Sequence, residues 1–153
     1  MIDDLYSAKV LALAANTPRL GRLAAPDGSA DKVAKLCGST IHVDLTLREG
    51  RVADFAQEVK ACALGQAAAS ILGAQVVGAT PEEIELARDG FRAMLKTGAP
   101  PPEGRFSDLA MLAPVKDYPA RHASTLLAFE ATVEACRLAA AKTQARTSPA
   151  DAA

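Results

Sequence analysis

The sequence has no tryptophan and few aromatic residues of any kind. Aromatic side chains make up 4% of the 153 residues, whereas apolar residues make up 50%. A core built mainly from alanine, leucine and valine favours close helix contacts, so we expect a helix-rich protein. The length fits one domain that buries its own core without disulfide bonds.

An excess of charge of either sign is also missing. Seventeen basic residues stand against eighteen acidic ones, and no Lys/Arg-rich run is present that could neutralise phosphates. Nucleic acid is therefore not an expected partner. Residues 1–10 carry acidic side chains where a secretory signal needs basic and apolar ones, which predicts a cytoplasmic protein. Residues 61–79 are uncharged but contain Gln66, Ser70 and Gln75, so they indicate a buried helix and not a membrane span.

Three cysteines, an odd number at wide spacing, are the main candidates for chemistry. In a reducing compartment such cysteines are better interpreted as free thiols or metal ligands than as disulfides. Cys136 lies on the apolar stripe of the last predicted helix, so it is predicted to be a packing residue. Cys37 and Cys62 are the two that lie outside such a stripe.

A predicted β-hairpin lies between Cys37 and Cys62. Apolar and polar residues alternate from Thr40 to Leu47, the pattern of a strand with one buried face. Residues 48–50 supply a turn, and a second strand follows over 52–59. The hairpin would bring both thiols to the same end of one sheet, where sulfurs roughly 4 Å apart can share a tetrahedral metal. His42, on the polar face of this hairpin, is predicted to be solvated.

The other predicted elements are mostly helices. Helices are expected over 2–15 and 61–79, after a capping box at Thr80 and up to Gly98, and from Pro119 to about residue 143. The segment 16–30 is predicted to be a loop, 31–36 an edge strand, 99–104 an extended spacer, and the piece through Leu112 a short helix that breaks at Pro114. We expect one domain over 1–143 and a disordered tail over 144–153.

Several stretches together resemble, in order, the motifs of the U-type iron–sulfur cluster assembly scaffolds, the family of IscU, SufU and the NifU N-terminal domain. Asn16–Gly21 resembles the N-P-R-x-x-G motif, and Leu36–Gly38 and Ala61–Gly65 resemble the two cysteine motifs that flank the hairpin. Leu112–Lys116 and His122–Ser124 resemble the L-P-P-V-K and H-C-S elements. The resemblance covers roughly residues 1–140.

The resemblance implies a fold, a function and partners. The fold is α+β, a small three-stranded antiparallel sheet with helices packed on one face. The function is iron–sulfur cluster assembly without enzymatic turnover, with a cysteine desulfurase as sulfur donor and apo-proteins as recipients. The implied cofactor is iron or an iron–sulfur cluster, with zinc as another candidate, and an oligomer is compatible with all of this.

Two departures from the family pattern affect the implied site. Ser39 stands where the family has an aspartate, and Ala123 where it has a third cysteine. Cys136 does not replace that cysteine, because thirteen helical residues displace it by about 20 Å. The candidate ligands are therefore Cys37, Cys62 and His122, since thiolate and imidazole both suit iron, clusters and zinc.

Three neighbouring residues have open roles. Ser39 and Ser124 are able to bond to bound sulfur or water, but equally to cap a turn or helix. A one-residue slip of the alignment would place Ser124 at the lost cysteine. Arg121 either stabilises a thiolate or is an ordinary solvated residue.

Three functions follow from these residues. The first is a scaffold for cluster assembly. The second is a divergent relative that binds zinc or carries sulfur as an accessory protein. The third, a cysteine nucleophile with His122 as base, has no hydrolase signature around either cysteine to support it.

Overall fold

The computed structural model describes residues 5–146, with residue 146 described by its backbone alone. Its elements, in chain order, are α1 (Ala8–Ala15), β1 (Gly28–Ala34), β2 (Ser39–Arg48), β3 (Arg51–Lys60), α2 (Ala63–Gln75), α3 (Pro81–Thr97), a 3-10 segment (Gly104–Asp117), a short 3-10 turn (Pro119–Arg121) and α4 (His122–Arg146). The strands form one antiparallel sheet in the order β1-β2-β3. The predicted α+β fold is confirmed.

The predicted hairpin is present as β2 and β3. Its strands pair from Thr40 opposite Lys60 to Arg48 opposite Arg51, with a register shift after Thr46. The turn consists of Glu49 and Gly50, whose φ angles are 54° and 75°. Two left-handed residues in succession match the twist of the flanking strands, which is the preferred geometry of a two-residue hairpin turn.

Helix α4 packs on one face of the sheet, against β1 and β2. Ile41, Val43 and Leu45 are buried on β2. At Gly28 a Cβ atom would lie 2.1 Å from the carbonyl oxygen of Ala135 on α4, so only glycine permits this approach. The segment 16–30 was predicted to be a loop, but β1 already begins at Gly28. This glycine does not form a turn; it lets the strand pack closely against α4.

The few aromatic residues are concentrated where the helices meet. The Phe129 ring packs edge-to-face against the rings of Phe91 and Phe106, with centroid distances of 5.6 and 5.5 Å. All three side chains are buried. Edge-to-face pairs add about 1 kcal/mol each beyond the apolar area that they bury. This cluster joins α3, α4 and the 3-10 segment.

The helix boundaries confirm some predictions and correct others. Thr80 forms the predicted capping box and Gly98 ends α3 in the left-handed conformation. Helix α1 begins later than predicted, at Ala8, because the Ser7 hydroxyl accepts a hydrogen bond from the Val10 N–H and caps it. Residues 2–4 of that predicted helix lie outside the described residues.

The C-terminal third of the chain holds two more differences. Pro114 does not break the helical piece but lies inside the 3-10 segment, whose φ angles proline's ring can adopt. Helix α4 continues to Arg146, past the predicted end near residue 143, and the rest of the predicted tail lies outside the described residues. Among residues 5–146, no helix is long and apolar enough to cross a membrane.

The Asn16–Gly21 motif closes the outer edge of β3. Leu20 forms a parallel bridge with Gln57 on β3. The Gly21 N–H donates to the Gln57 carbonyl, and the Gln57 N–H donates to the Arg19 carbonyl, both at 2.9 Å. Arg19 has a φ of 60°. The motif therefore has an architectural role here, since it satisfies backbone groups that an open strand edge would leave unpaired.

The prediction that His42 is solvated is wrong. Its side chain is 14% exposed, with Nδ1 2.8 Å from an Asp31 carboxylate oxygen and Nε2 2.6 Å from Asp44. The buried Asp44 carboxylate also accepts hydrogen bonds from Ser29 Oγ and from Arg22 Nε. The alternation placed His42 correctly on the face opposite α4, but the segment 22–29 folds over that face.

This network shifts the pKa values of its members. Burial raises the pKa of Asp44, but hydrogen bonds from Ser29, Arg22, the Leu23 N–H and His42 outweigh it and hold that pKa well below its usual range. Burial lowers the pKa of His42, but the bonds to Asp31 and Asp44 outweigh it and raise that pKa. Since both ring nitrogens face carboxylates, His42 is an imidazolium that donates twice.

We predict that His42→Gln destabilises the protein in a pH-dependent way. The pKa of His42 is higher in the folded state than in the unfolded state, where it is about 6.5, so protonation of His42 stabilises the fold. This stabilisation is complete below the unfolded-state pKa and is lost as the pH rises through the folded-state pKa. The variant should lose about 2 kcal/mol of unfolding free energy near pH 5.5 and less in mildly alkaline buffer. Urea unfolding of both proteins at the two pH values measures this. An equal loss at both would contradict the imidazolium assignment.

Candidate functional site

Cys37 and Cys62 lie at the same end of the sheet, opposite the hairpin turn. Cys37 comes two residues before β2, and Cys62 comes two residues after β3. Because Thr40 pairs with Lys60, continuation of this register would place Cys62 opposite Gly38. The predicted convergence of the two hairpin ends is thus present. The sulfur separation of roughly 4 Å expected for a shared metal stays a prediction.

Cys37 is exposed on the turn that joins β1 to β2. Its Sγ lies 3.0 Å from the Ser39 hydroxyl oxygen. The Ser39 hydroxyl is the main cause that lowers the pKa of Cys37, and the Ser39 N–H and the Ser124 hydroxyl add to it. A thiol with a lowered pKa and open access has the properties of a nucleophile and of a metal ligand.

Cys62 is half-buried at the N-cap of α2. Its Sγ lies 3.7 Å from the Ser124 hydroxyl oxygen. Ser124 is buried and its hydroxyl also donates to the Arg121 carbonyl at 3.2 Å. The Ser124 hydroxyl thus joins Cys62 to the first turn of α4.

Gly65 determines how closely Ser124 approaches Cys62. A Cβ atom at Gly65 would lie 2.8 Å from the Ala61 Cβ and 3.0 Å from the Ser124 carbonyl oxygen. Helices α2 and α4 therefore cross here with little room for a side chain at position 65. The sequence places Gly65 in a motif of small residues. A glycine inside a predicted helix is the one sequence signal for a close helix contact at this position.

His122 is placed differently from the two thiols. It is buried, and its Nε2 lies 3.0 Å from the Val115 carbonyl oxygen and 3.2 Å from that of Lys116. Because both neighbours are acceptors, Nε2 carries the ring proton. Nδ1 is buried and has no hydrogen-bond partner among residues 5–146. In the part of the chain that the structure describes, no three His, Cys, Asp or Glu side chains form a ready metal-binding group, so His122 does not complete one with the thiols.

The residues on either side of His122, Arg121 and Ala123, are at least partly exposed to solvent. Ala123, at the place of the family's third cysteine, is exposed. Arg121 contributes its backbone, because its carbonyl accepts from the hydroxyls of Ser124 and Thr125. Arg121 itself is partly exposed.

Cys136 is a core residue, as predicted. Its side chain is 1% exposed among the apolar residues of α4. Burial, with a smaller contribution from the charge of Glu82, raises the pKa of this thiol to about 12. Cys136 is therefore a neutral packing group at physiological pH, a state that does not favour a ligand or a nucleophile.

Residues 5–125 match the family model described as the NifU-like N terminal domain. The chain belongs to this family. The resemblance inferred from the motifs is confirmed, and the NifU-like domain covers most of the chain.

Relatives of this NifU-like chain agree with the assignment. It is 30% identical over 101 residues to the iron-sulfur cluster assembly scaffold protein IscU of Thermotoga maritima, which covers 66% of this chain and 70% of that one. The crystal structure of a NifU-like protein (N-terminal) from Brucella abortus is 52% identical, has a TM-score of 0.90, and covers 92% of this chain and 98% of its own.

A solved structure of lower sequence identity shares the fold. The putative scaffold protein for the SUF system from Fervidobacterium islandicum AW-1 has a TM-score of 0.80 at 19% identity, over 88% of this chain and 98% of its own. The NifU-like fold is therefore retained at low sequence identity.

We predict that Cys37 is the thiol most reactive towards iodoacetamide and that Ser39→Ala slows its alkylation. Loss of the Ser39 hydrogen bond raises the pKa of Cys37, so the midpoint of its pH–rate profile should move to higher pH. Peptide mass spectrometry of samples quenched over time measures each cysteine separately. An unchanged midpoint in Ser39→Ala would contradict the assigned role of the hydroxyl.

We also predict that Cys136→Ala leaves metal and sulfur content untouched. The variant should lose no more than about 2 kcal/mol of unfolding free energy, since only a small buried side chain is shortened. Elemental analysis and urea unfolding measure the two effects. Loss of bound metal in this variant would show that the core assignment is wrong.

Proposed function

We propose that this NifU-like domain is a scaffold on which an iron–sulfur cluster is assembled, with Cys37 and Cys62 as its thiolate ligands. The observation that carries the proposal is the pair of free thiols at the open end of the hairpin, where Cys62 Sγ lies 3.7 Å from the Ser124 hydroxyl. Family membership supports it, as does the similarity to the iron-sulfur cluster assembly scaffold protein of Thermotoga maritima. The cluster is cargo, so the domain carries out no turnover of its own.

The donor atoms suit such cargo. Thiolates are soft ligands that favour iron–sulfur clusters. We propose His122 Nδ1 as the third ligand, because Nε2–H donates to a backbone carbonyl and leaves Nδ1 with a free lone pair. Metal-binding histidines commonly donate their second ring nitrogen in this way. Since Nδ1 is buried, the first turn of α4 would have to shift for it to reach the cargo.

The neutral residues at two family ligand positions favour a second candidate function. Ser39 supplies a hydroxyl where the family has a carboxylate, and the exposed Ala123 supplies no donor. With two thiolates only, the site holds less negative charge to offset iron. An accessory protein that carries sulfur or binds zinc, without building clusters, is the alternative.

The proposed partners follow from the same chemistry. A cysteine desulfurase would deliver sulfur to the exposed Cys37, and recipient apo-proteins would accept the finished cluster. Both exchanges need the open end of the hairpin to be accessible, as Cys37 is.

We predict that anaerobic supply of iron, cysteine and a desulfurase yields a coloured protein with iron and sulfide in cluster ratio. Cys37→Ser and Cys62→Ser should each abolish the colour, because each removes one of the two anionic ligands. Cys136→Ala, which removes a buried thiol, is the matched control and should stay coloured. Absorption spectra with iron and sulfide analysis give the result.

The double variant Ser39→Asp with Ala123→Cys restores the family pattern and tests the alternative function. Equal cluster yield in the natural and double-variant proteins supports the scaffold. A colourless natural protein that retains zinc, beside a coloured double variant, would overturn the proposal and establish the accessory role.

A further inference from the structure

We propose that the exposed side of α1 is the interface of a homodimer, in which two copies of this chain pack α1 against α1. The inference goes beyond the proposed scaffold function, because the interface uses none of the residues of the thiol site. We call the exposed side the outer face of α1, and its residues are Ala8, Leu11, Ala12 and Ala15.

Helix α1 is apolar on every side, although the protein covers one side only. Seven of its eight residues are alanine, valine or leucine, and Lys9 is its one charged residue. Val10 is buried, whereas Leu11 is 48% exposed. A surface helix ordinarily carries polar residues on its outer side, so an apolar outer face indicates a binding surface.

A groove runs along one flank of this outer face, between α1 and the 3-10 segment. Its volume is about 320 Å³, which is ample for one leucine side chain. Ala12 and Leu13 of α1 and Met111 of the 3-10 segment supply its apolar lining, and Lys9 and Asn16 complete it. The groove is therefore suited to an apolar side chain from another molecule.

Leu11 lies on the opposite flank of α1 from the groove. Leu11 and Leu13 are two residues apart, so their side chains point about 160° from each other round the helix axis. Between them, the exposed Ala8, Ala12 and Ala15 form a low surface on which a second helix can approach closely. A two-fold axis parallel to two adjacent helices brings opposite flanks together, so Leu11 of each copy would enter the groove of the other.

The charges beside the groove favour a second copy as the occupant. Side chains three residues apart lie on the same side of a 3-10 helix, so the exposed Asp108 lies on the side of Met111. Neither Lys9 nor Asp108 forms an ion pair with any residue from 5 to 146. One unpaired cation and one unpaired anion make the surface complementary to itself, since Lys9 of each copy can pair with Asp108 of the other.

The size of the outer face predicts a weak dimer. Eight residues form a helix about 12 Å long. A contact of this length buries roughly 400 Å² per copy, about half of the area that a stable interface buries on each partner. We therefore expect a dimer that forms and dissociates with protein concentration.

The dimer would leave the thiol site open. Ser70, in the second half of α2, donates a hydrogen bond to the Leu13 carbonyl, so the groove lies beside that half of α2. Cys62 is the N-cap of the same helix, eight residues or about 12 Å away along its axis. The interface and the thiol site are thus separate, and either proposal can fail without the other.

Sedimentation equilibrium of the full chain with a thiol reductant, from about 20 µM to about 1 mM, tests the inference. The mass of the wild-type protein should rise from one chain towards two. Leu11→Gln should raise the dissociation constant at least about tenfold, because two-fold symmetry removes the leucine contact twice. Leu86→Gln, the same change at a leucine of α3 that is 72% exposed, is the matched control and should associate as wild type.

Reversed charges test the pairing across the interface. Lys9→Glu and Asp108→Lys should each weaken the dimer, because like charges then meet. An equimolar mixture of the two variants should form a heterodimer, since the two introduced charges face each other and so do the native Lys9 and Asp108. This mixture keeps Leu11, so it decides the question even if Leu11→Gln folds poorly.

Three outcomes would overturn the inference. The first is a wild-type protein that stays a single chain at the highest concentration, whether or not it binds phosphatidylcholine vesicles through this face. The second is an equal effect of Leu11→Gln and Leu86→Gln. The third is a mixture of the charge variants that stays monomeric. Equal urea midpoints of all variants confirm that they keep the fold.

Discussion

The close approach of α4 to its neighbours is the constraint on which the rest of the structure depends. The helix meets β1 at Gly28, where a Cβ atom would collide with its backbone, and α2 at Gly65, where a Cβ atom would lie 3.0 Å from the Ser124 carbonyl oxygen. An added methyl group in so tight a contact costs about 1–3 kcal/mol and displaces the elements that carry it. The first contact seats α4 on the sheet, and the second brings Ser124 to the thiols. The position of α4 therefore determines both the packing of the core and the location of Ser124 in the site.

The two faces of the sheet are stabilised by different interactions. The face towards α4 is apolar, while the opposite face holds a buried carboxylate, Asp44, that four donors surround. Removal of one donor from such a group costs more than the net strength of one hydrogen bond, because the remaining charge stays buried. The segment 22–29 is therefore fixed by a few specific bonds. The preceding Asn16–Gly21 motif is fixed to β3 by backbone bonds.

Local patterns in the sequence predicted most of the fold, and tertiary contacts explain what they missed. The alternation over 40–47 predicted β2, and the capping box at Thr80 predicted the start of α3, because both signals lie within a few residues. The buried environment of His42 depends on Arg22 and Ser29, which reach Asp44 from another part of the chain. No pattern around His42 contains that information.

In the candidate site, too, local patterns predicted some features and tertiary contacts determined the others. The hairpin predicted that Cys37 and Cys62 lie at the same end of the sheet, and the apolar stripe predicted that Cys136 is buried. The position of the His122 ring was not predictable, since it depends on carbonyls of the 3-10 segment. Family motifs specify which residue types recur, but the direction of a side chain is decided by its packing.

The place of the thiols at the open end of the hairpin gives any link between them a mechanical consequence. In the unfolded chain, a metal, cluster or disulfide that joins residues 37 and 62 would close a loop that contains the whole hairpin. Closing a loop of this length removes roughly 3–4 kcal/mol of chain entropy from the unfolded state. Cargo would then act as a reversible crosslink, and the thermal stability of the domain would report whether the protein is loaded or empty.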